Sequence, residues 1–260
     1  MRQLWQNIEF LFIDEISMVS YEMLCMIDSR LRLLKIPDAC FGGINMILFG
    51  DLMQLPPIRG HQVFQQPDHM KLATRLWRQF GLVELKQNMR QQGDTAFIDV
   101  LHALRVGEMT SRQLEILIEK VSTDATNEFS IEKALRIYST NDQDIPSVRI
   151  DFGSDGVHMI KPISIQFPAK YRYRTAERRM LPLILRWALT VHKMQGCTDD
   201  HAVIYLGSRL FAAGQAYVAL SSVRSLDGMR IEELDCSKIT GKTPCNSEAV
   251  NEMIRLRNDS

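Results

Sequence analysis

The feature that most constrains the fold is a short apolar run that ends in two adjacent carboxylates. Residues 8–13 read I-E-F-L-F-I, and Asp14 and Glu15 follow them directly. A run this short, rich in aromatic and β-branched residues, predicts a strand buried on both faces of a sheet. Ligands of open α/β sheets bind at the carboxyl ends of strands, so we expect the acidic pair at the edge of a site. Such acids can hold Mg²⁺ and orient a water, although two solvated surface acids would give the same pattern.

The rest of the chain alternates between predicted helices and strands, which indicates an α/β fold. Apolar residues at helical spacing predict helices at 20–35, 70–80, 95–106, 111–121 and about 213–222. Short apolar runs predict strands at 44–49, 82–85, 134–139, 183–191, 202–206 and 229–234. Residues 148–167 alternate apolar and polar side chains around two glycines, which predicts a hairpin.

Length and composition limit the class of protein. The chain has 260 residues, of which 45% are hydrophobic and 24% charged, as in globular proteins with one large or two ordinary domains. Lys plus Arg and Asp plus Glu both total 31, so any nucleic-acid surface must be local. Because no apolar run approaches 18 residues, we expect no membrane association. The five cysteines lack C-x-x-C spacing, which favours reduced thiols in an intracellular protein.

Three further motifs follow the acidic pair in a fixed order. They read G-D-L-M-Q-L-P-P at 50–57, A-L-T-V-H-K-M-Q-G-C-T at 188–198 and G-Q-A-Y-V-A-L-S-S-V-R-S at 214–225. Together with I-D-E-I-S-M-V, this set closely resembles the superfamily-1 DNA helicases of the PIF type (petite integration frequency), including those of Helitron-like transposons. The resemblance covers nearly the whole chain. It implies two RecA-like domains of the P-loop NTPase fold that use ATP to move 5′ to 3′ on single-stranded DNA, in repair, recombination and telomere maintenance.

The resemblance also implies roles for individual residues. Asp14 would be the Mg²⁺ ligand, and Glu15 would orient the attacking water. The residues implied to lie at the nucleotide are Gln54 as phosphate sensor, Arg90 as an arginine that meets the triphosphate, and Gln195, Gly196 and Arg224. The residues implied to touch DNA are Thr190, His192 and Lys193, and Tyr217 falls on the last motif. Acids for Mg²⁺ and arginines for phosphate facing one cleft agree with the needs of phosphoryl transfer.

A basic stretch predicts a second part of the DNA surface. Residues 161–193 contain eight Lys or Arg against one acid, Glu177, with aromatic residues interleaved. Basic residues track a phosphate backbone while aromatic rings stack on bases, so we expect single-stranded DNA, or DNA with a 5′ single-stranded tail, to bind here. The central residues are Arg172, Arg174, Arg178 and Arg179. A solvated basic face is the alternative interpretation.

Three departures from the family pattern lead us to expect an incomplete ATP site. The family places G-x-x-x-x-G-K-[ST] before its acidic pair, but only 13 residues precede Asp14, and C-S-K-I-T-G-K-T at 236–243 has Cys236 in place of the first glycine. Ser222 stands where the family has an arginine, and a hydroxyl cannot neutralise charge on the transferred phosphoryl group. The β insertion that follows Thr140 and Asn141 is shorter than in the family.

We therefore expect a truncated first RecA-like domain at 1–106 and a helical connection at 107–133. A second RecA-like domain would follow at 134–235, with a reduced β insertion at about 148–180, and then a C-terminal tail at 236–260. The expected function is that of an ATP- and Mg²⁺-dependent DNA helicase, catalytically incomplete in this chain. The alternatives are a non-catalytic remnant that binds single-stranded nucleic acid and a degenerate transposon-derived reading frame. An intracellular location is expected, with the nucleus favoured over the mitochondrion.

Overall fold

The computed structural model describes residues 2–70, 75–121, 127–130, 134–139, 148–151, 156–161, 163–167, 176–180 and 188–259. Its helices are α1 (Arg2–Trp5), α2 (Tyr21–Leu34), α3 (Thr95–Val106), α4 (Ser111–Ile118), α5 (Val191–Met194), α6 (Gln215–Ser221), α7 (Cys236–Ile239) and α8 (Ser247–Asn258). Its strands are β1 (Phe10–Ile13), β2 (Asn45–Leu48), β3 (Leu135–Tyr138), β4 (Val148–Asp151), β5 (Val157–Ile160), β6 (Ile163–Phe167), β7 (Ala176–Met180), β8 (Ala188–Thr190), β9 (Ala202–Leu206) and β10 (Met229–Leu234).

The four-stranded sheet and the sheet of the first two strands are parallel, which confirms the predicted α/β class. Strands β1 and β2 pair in parallel, with Phe10 opposite Asn45 and Ile13 opposite Leu48. Strands β10, β9, β3 and β8 form a second parallel sheet in that order. The strands of a parallel sheet all run in the same direction, so their carboxyl ends lie at the same edge of that sheet. Motif residues that follow β1, β2 and β8 are therefore placed at sheet edges.

The predicted helices begin and end where local hydrogen bonds allow it. Ser20 Oγ accepts the Met23 N–H at 3.2 Å and so caps the start of α2. Helix α3 ends at Gly107, whose φ of 68° is the left-handed conformation typical of a glycine after a helix. A capping box between Thr110 and Gln113 starts α4.

Two apolar cores support these sheets. The first core underlies β1, β2 and α2 and consists of Ile16, Leu24, Leu31, Phe41, Ile44, Leu52, Met53, Val63, Leu76, Trp77, Ala249, Met253 and Leu256. The second core lies between the four-stranded sheet and α3, α4 and α6, and its fully buried members include Phe97, Leu104, Leu117, Ile137, Ile204, Leu220 and Ile231. The cores divide the chain differently from the expected boundaries at 106 and 236, because α3 packs in the second core and α8 in the first.

The prediction that the first strand is buried on both faces is wrong. Phe10 is 51% exposed and Phe12 is 61% exposed, and the Phe12 ring stacks on Phe49 with centroids 6.1 Å apart. In the described part of the chain β1 pairs with β2 alone, so no layer covers the face that carries these rings. An apolar run reports the tendency of its residues to be buried, but it cannot report whether a covering layer is present.

Two further predictions are wrong. The helix expected at 70–80 is replaced, where the chain is described, by 3₁₀ turns at Asp68–Met70 and Leu76–Gln79. The strand expected at 82–85 is irregular, and Val83 and Leu85 are almost fully exposed. A four-residue apolar run fits a strand, a turn or an extended loop, and only a pairing partner makes it a strand.

The hairpin expected at 148–167 is present as β4 and β5, and β6 in the same range pairs with a strand beyond it. Strand β4 pairs antiparallel with β5, and β6 pairs antiparallel with β7. Of the strand expected at 183–191, residues 188–190 form β8, Val191 begins α5, and residues 183–187 lie outside the described part. Thr140 and Asn141 also lie outside it. Within the described residues, none of the helices is long and apolar enough to cross a membrane.

Candidate active site between the two cores

The acidic pair lies where β1 ends, beside the end of β2. The two strand ends are held together because the Phe49 N–H donates to Ile13 O at 2.8 Å and the Ile16 N–H donates to Phe49 O at 2.9 Å. Glu15 adopts φ 51° and ψ 50°, a left-handed conformation that costs a non-glycine residue about 1–2 kcal/mol. Asp14 Oδ1 accepts the Glu15 N–H at 2.8 Å and helps to hold this turn. Strained residues of this kind cluster at functional sites.

The second sheet brings Gln195 and Gly196 directly onto Glu15. Gln195 Nε2 donates to Glu15 Oε2 at 2.7 Å and to Ser17 Oγ at 3.0 Å. Gly196 has φ 78°, and a Cβ atom there would lie 3.0 Å from Glu15 Oε1, so a side chain would crowd the carboxylate. Gln195 Oε1 is buried and has no hydrogen-bond partner among the described residues. The turn after α5, which packs in the second core, thus fixes the carboxylate of Glu15, which lies next to the first core.

The loop after β2 carries Gln54 and is fixed by the carboxylate of Asp51 in the same loop. Asp51 Oδ1 accepts Arg105 Nη2 from α3 at 2.7 Å and the Met53 N–H at 3.1 Å. Asp51 Oδ2 accepts the hydroxyl of Tyr217, from α6, at 3.2 Å. Gln54 is half-buried, and its N–H donates to Asp51 O at 3.0 Å. One carboxylate therefore joins the Gln54 loop to two helices of the second core.

Burial dominates the electrostatics of this cluster. It raises the pKa of the Tyr217 hydroxyl, and the neighbouring Asp51 charge raises it further, while Arg105 opposes these effects. Burial alone would lower the pKa of Arg105, but the charge of Asp51, the Tyr217 oxygen and the hydrogen bond to Asp51 together leave that pKa raised. Both the Arg105 and Asp51 side chains are mostly buried. The Arg105 cation and the neutral Tyr217 phenol thus both face the Asp51 carboxylate.

Arg90 lies at the carbonyl end of α6. Its Nη1 donates to Ser221 O at 3.1 Å. The adjacent Gln91 is 2% exposed, and its Nε2 donates to Ser221 O at 3.1 Å and to Val223 O at 2.7 Å. These donors satisfy carbonyls that a helix end leaves unpaired. Asp94 Oδ2 accepts the Leu226 N–H at 2.9 Å and extends the contact.

The last motif places Ser222 and Arg224 in different environments. Ser222 is 1% exposed, and its hydroxyl donates to Ala219 O at 2.7 Å, inside the second core. Arg224 is exposed and forms an ion pair with Asp200, with Nε and Oδ1 2.7 Å apart. Of the residues implied to lie at the nucleotide, Gln195 and Gly196 meet the acidic pair, whereas Arg224 is engaged at the surface.

The residues implied to touch DNA follow β8. Thr190 is buried at the end of the strand. His192 lies in α5, burial lowers its pKa, and its ring stacks on Phe211 with centroids 6.2 Å apart. Lys193 is exposed beside it. Arg178 and Arg179 lie in β7 opposite Ile165 and Ser164, whereas Arg172 and Arg174 lie outside the described residues.

Asp14 fits a Mg²⁺ ion that is held mainly by a nucleotide. The described residues contain no group of three His, Cys, Asp or Glu side chains arranged to hold a metal. Mg²⁺ is commonly held by one or two carboxylates together with waters and substrate phosphates. The exposed Asp14 carboxylate, with only Oδ1 engaged by Glu15, suits that mode. Residues 236–243 offer no phosphate loop, because they begin with α7 and Lys242 donates to Val106 O at 2.9 Å.

Sequence reasoning missed three residues of this site. Asp51 lies inside a recognised motif, so its position was a usable signal. Arg105 in the last turn of α3 looked like an ordinary basic helix terminus. Gln91 directly follows Arg90 but carries no charge that would mark it.

Comparisons with known proteins agree on one family. The family model described as PIF1-like helicase matches residues 1–115. The chain is 29% identical over 309 aligned positions to the ATP-dependent DNA helicase PIF1 of Homo sapiens, covering 90% of this chain and 47% of that protein. It is 27% identical to the Danio rerio protein of the same name, covering 89% of this chain and 47% of that protein. The chain thus spans slightly less than half the length of these relatives.

Solved structures with the same fold cover almost the whole chain. The Pif1 helicase from Candida albicans matches with a TM-score of 0.70 at 20% identity, over 98% of this chain and 78% of that one. Bacteroides Pif1 bound to single-stranded DNA matches with a TM-score of 0.70 at 22% identity, over 99% of this chain and 77% of that one.

Because the human alignment has 309 positions and this chain has 260 residues, the human protein carries segments without a counterpart here.

Proposed function

We propose that the chain is a PIF1-like helicase and that it acts as an ATP- and Mg²⁺-dependent DNA helicase. It moves 5′ to 3′ on single-stranded DNA, or on duplexes with a 5′ single-stranded tail, through two RecA-like units. The observation that carries the proposal is the 2.7 Å contact between Gln195 Nε2 and Glu15 Oε2. This contact joins the acidic pair to the motif that faces DNA in the family. DNA as substrate places the protein inside the cell, with the nucleus favoured over the mitochondrion.

In this proposal the acidic pair performs the chemistry of hydrolysis. Bound ATP with Mg²⁺ supplies the phosphoanhydride that water cleaves, a reaction that depends on positioning and charge stabilisation. Asp14 would hold the ion. Glu15 accepts a hydrogen bond from the attacking water and takes its proton. Gln195 keeps the Glu15 carboxylate in place by donating to Oε2, and Gly196 leaves room for it.

Coupling to DNA runs through the contacts between the cores. Gln54 senses the terminal phosphate, and Asp51 transmits movement of its loop to α3 and α6 through Arg105 and Tyr217. Arg90, which lies at the end of α6, contacts the triphosphate in this proposal. Two further residues, Gly196 and Arg224, are also assigned to the nucleotide site. The residues assigned to DNA are Thr190, His192 and Lys193, together with Arg172, Arg174, Arg178 and Arg179.

The test is hydrolysis of ATP with and without an oligothymidylate strand. Glu15→Gln removes the base but keeps the shape of the side chain, so we expect turnover to fall by roughly 10²–10⁴-fold while nucleotide binding persists. The matched control is Glu9→Gln, an exposed acid just before β1, which should leave turnover unchanged. Equal turnover in Glu15→Gln and wild type would reject the assignment.

A second candidate function is binding of single-stranded nucleic acid without catalysis. The observation that favours it is Ser222, which is buried and uncharged where the family has an arginine. In this case the protein binds DNA but does not hydrolyse ATP. Replacing Arg172, Arg174, Arg178 and Arg179 with Ala should weaken binding and flatten its salt dependence, by about 0.7 in the log–log slope for each phosphate that is no longer neutralised. An unchanged slope would exclude this basic stretch from the DNA surface.

A further inference from the structure

An exposed aromatic ring lies beside the motif that follows β8. Phe211, in the connection between β9 and α6, is 66% exposed. Its ring packs against the imidazole of His192 with centroids 6.2 Å apart and an interplanar angle of 23°. Leaving a phenylalanine in water forgoes roughly 1.5–3 kcal/mol of burial. The pair of stacked rings therefore presents one open aromatic face to solvent at a stability cost.

The backbone that carries this ring is held firmly. Gln215 is fully buried, and its Oε1 accepts the Phe211 N–H at 2.9 Å and the Ala212 N–H at 3.2 Å. The preceding Leu210 is buried in the second core, and its N–H donates to Gly207 O at 3.2 Å. Both sides of Phe211 are thus anchored, so its exposure is a property of a fixed loop. A rigid, exposed ring is preorganised for contact and loses little entropy on binding.

Two lysines lie near the stacked rings. Lys193 directly follows His192 and is exposed, and Lys238 lines the same shallow pocket as Phe211. No carboxylate of the described residues forms an ion pair with either lysine. Burial lowers the pKa of His192, so the stacked rings stay uncharged near neutral pH while the charge is carried by the lysines. An uncharged π-face with lysines nearby matches a base with its neighbouring phosphates.

We propose that Phe211, backed by His192, is a stacking platform for one base of a single-stranded nucleic acid whose adjacent phosphates meet Lys193 and Lys238. This inference rests on the proposed function, because it adds a base contact to the same DNA path. It assigns Phe211 a role that the basic residues cannot have, since stacking depends on the base and not on the phosphate. Every base has a π-face, so the contact should tolerate any sequence.

The experiment measures binding of two ~12-nucleotide strands that differ only in their bases. One is an oligothymidylate with a central 2-aminopurine, and the other has the same backbone with abasic sites. We expect Phe211→Ala to weaken binding of the base-bearing strand roughly 5- to 100-fold and to leave the abasic strand unchanged. Phe211→Trp should restore affinity and quench 2-aminopurine fluorescence, whereas Phe211→Leu should not. Phe10→Ala, which also removes an exposed ring, is the matched control and should bind both strands like wild type.

Each other outcome has a defined meaning. If wild type binds DNA and Phe211→Ala binds the base-bearing strand equally well, the stacking platform is rejected and the proposed function stands. Equal weakening on both strands, or full rescue by Phe211→Leu, also rejects stacking and indicates a general apolar contact, such as a protein partner. If wild type binds neither strand, the proposed function and the platform both fail. A thermal melt of each variant confirms that the exposed substitution leaves the fold intact.

Discussion

Removing the hydroxyl of Tyr217 should destabilise the contact between the cores. In Tyr217→Phe the ring remains, but Asp51 Oδ2 loses its only hydrogen-bond donor among the described residues, 3.2 Å away. The Asp51 side chain is 15% exposed, so water replaces this donor poorly. A hydrogen bond to a charged group contributes about 1.5–3 kcal/mol. Because Arg105 still pairs with Oδ1, the loss should stay within this range and the charge should not be left alone.

The chain offers a matched control for this change. Tyr138→Phe also removes a hydroxyl that donates to a carboxylate, Glu232 Oε2 at 3.1 Å, but this pair is at the surface. A surface change of this kind should cost less than about 0.5 kcal/mol. Urea unfolding followed by circular dichroism, with the m-value held constant, gives both values. The thermal midpoint of Tyr217→Phe should fall by about 3–12 °C.

Alkaline pH gives an independent check of the same residue. Burial raises the pKa of Tyr217 in the folded protein above its ordinary value of 10. Above pH 10 the unfolded chain therefore releases the Tyr217 proton while the folded chain keeps it, so the stability of the wild type falls as the pH rises. Tyr217→Phe should lack this component of the fall. Equal losses in Tyr217→Phe and Tyr138→Phe, together with identical alkaline profiles of wild type and Tyr217→Phe, would refute the reasoning.

Burial alone would raise the pKa of Glu22, but hydrogen bonds, first among them that of His61, lower it to about 2. Stability from this pair is present above pH 4.5 and lost as the pH falls toward 2, so an acid titration of Glu22→Gln should lack that loss. Gly107→Ala should destabilise by more than about 1 kcal/mol in urea, because φ is 68° and the new Cβ would lie 2.6 Å from a backbone carbonyl oxygen. Met253→Ala should cost roughly 2–5 kcal/mol by thermal unfolding, and a value near zero would exclude α8 from the first core.

The sequence predicted those elements whose signals are local. Helices α2 and α4 carry their own caps, at Ser20 and Thr110, so their starts could be read from a few residues. The position of the acidic pair at a strand end was also predicted, because an apolar run followed by Asp14 and Glu15 needs no distant information. The left-handed backbone of Glu15 could not be predicted, since only the surrounding contacts determine it.

Features that depend on distant partners were not predictable. The exposed faces of Phe10 and Phe12 depend on what covers the sheet, and the irregular segment around Val83 lacks a strand partner in the described part. Asp51 and Arg105 lie 54 residues apart, and their pairing arises only when α3 packs beside the loop after β2. The prediction of Gln195 near the nucleotide came from a resemblance, and its contact with Glu15 came from the structure.

Helix α8 sets the order in which the two cores can be completed during synthesis. Ala249, Met253 and Leu256 close the core that begins near Ile16, and Trp77 Nε1 donates to Glu252 Oε1 at 2.7 Å. A ribosome adds about 5–20 residues per second, so about 9–36 s pass between the synthesis of Trp77 and that of Leu256 in the last helix of this core. The four-stranded sheet is fully synthesised before then. The strands β1 and β2 therefore emerge before the four-stranded sheet but are enclosed after it, and a premature stop codon shortly before α8 would leave apolar surface of the first core exposed.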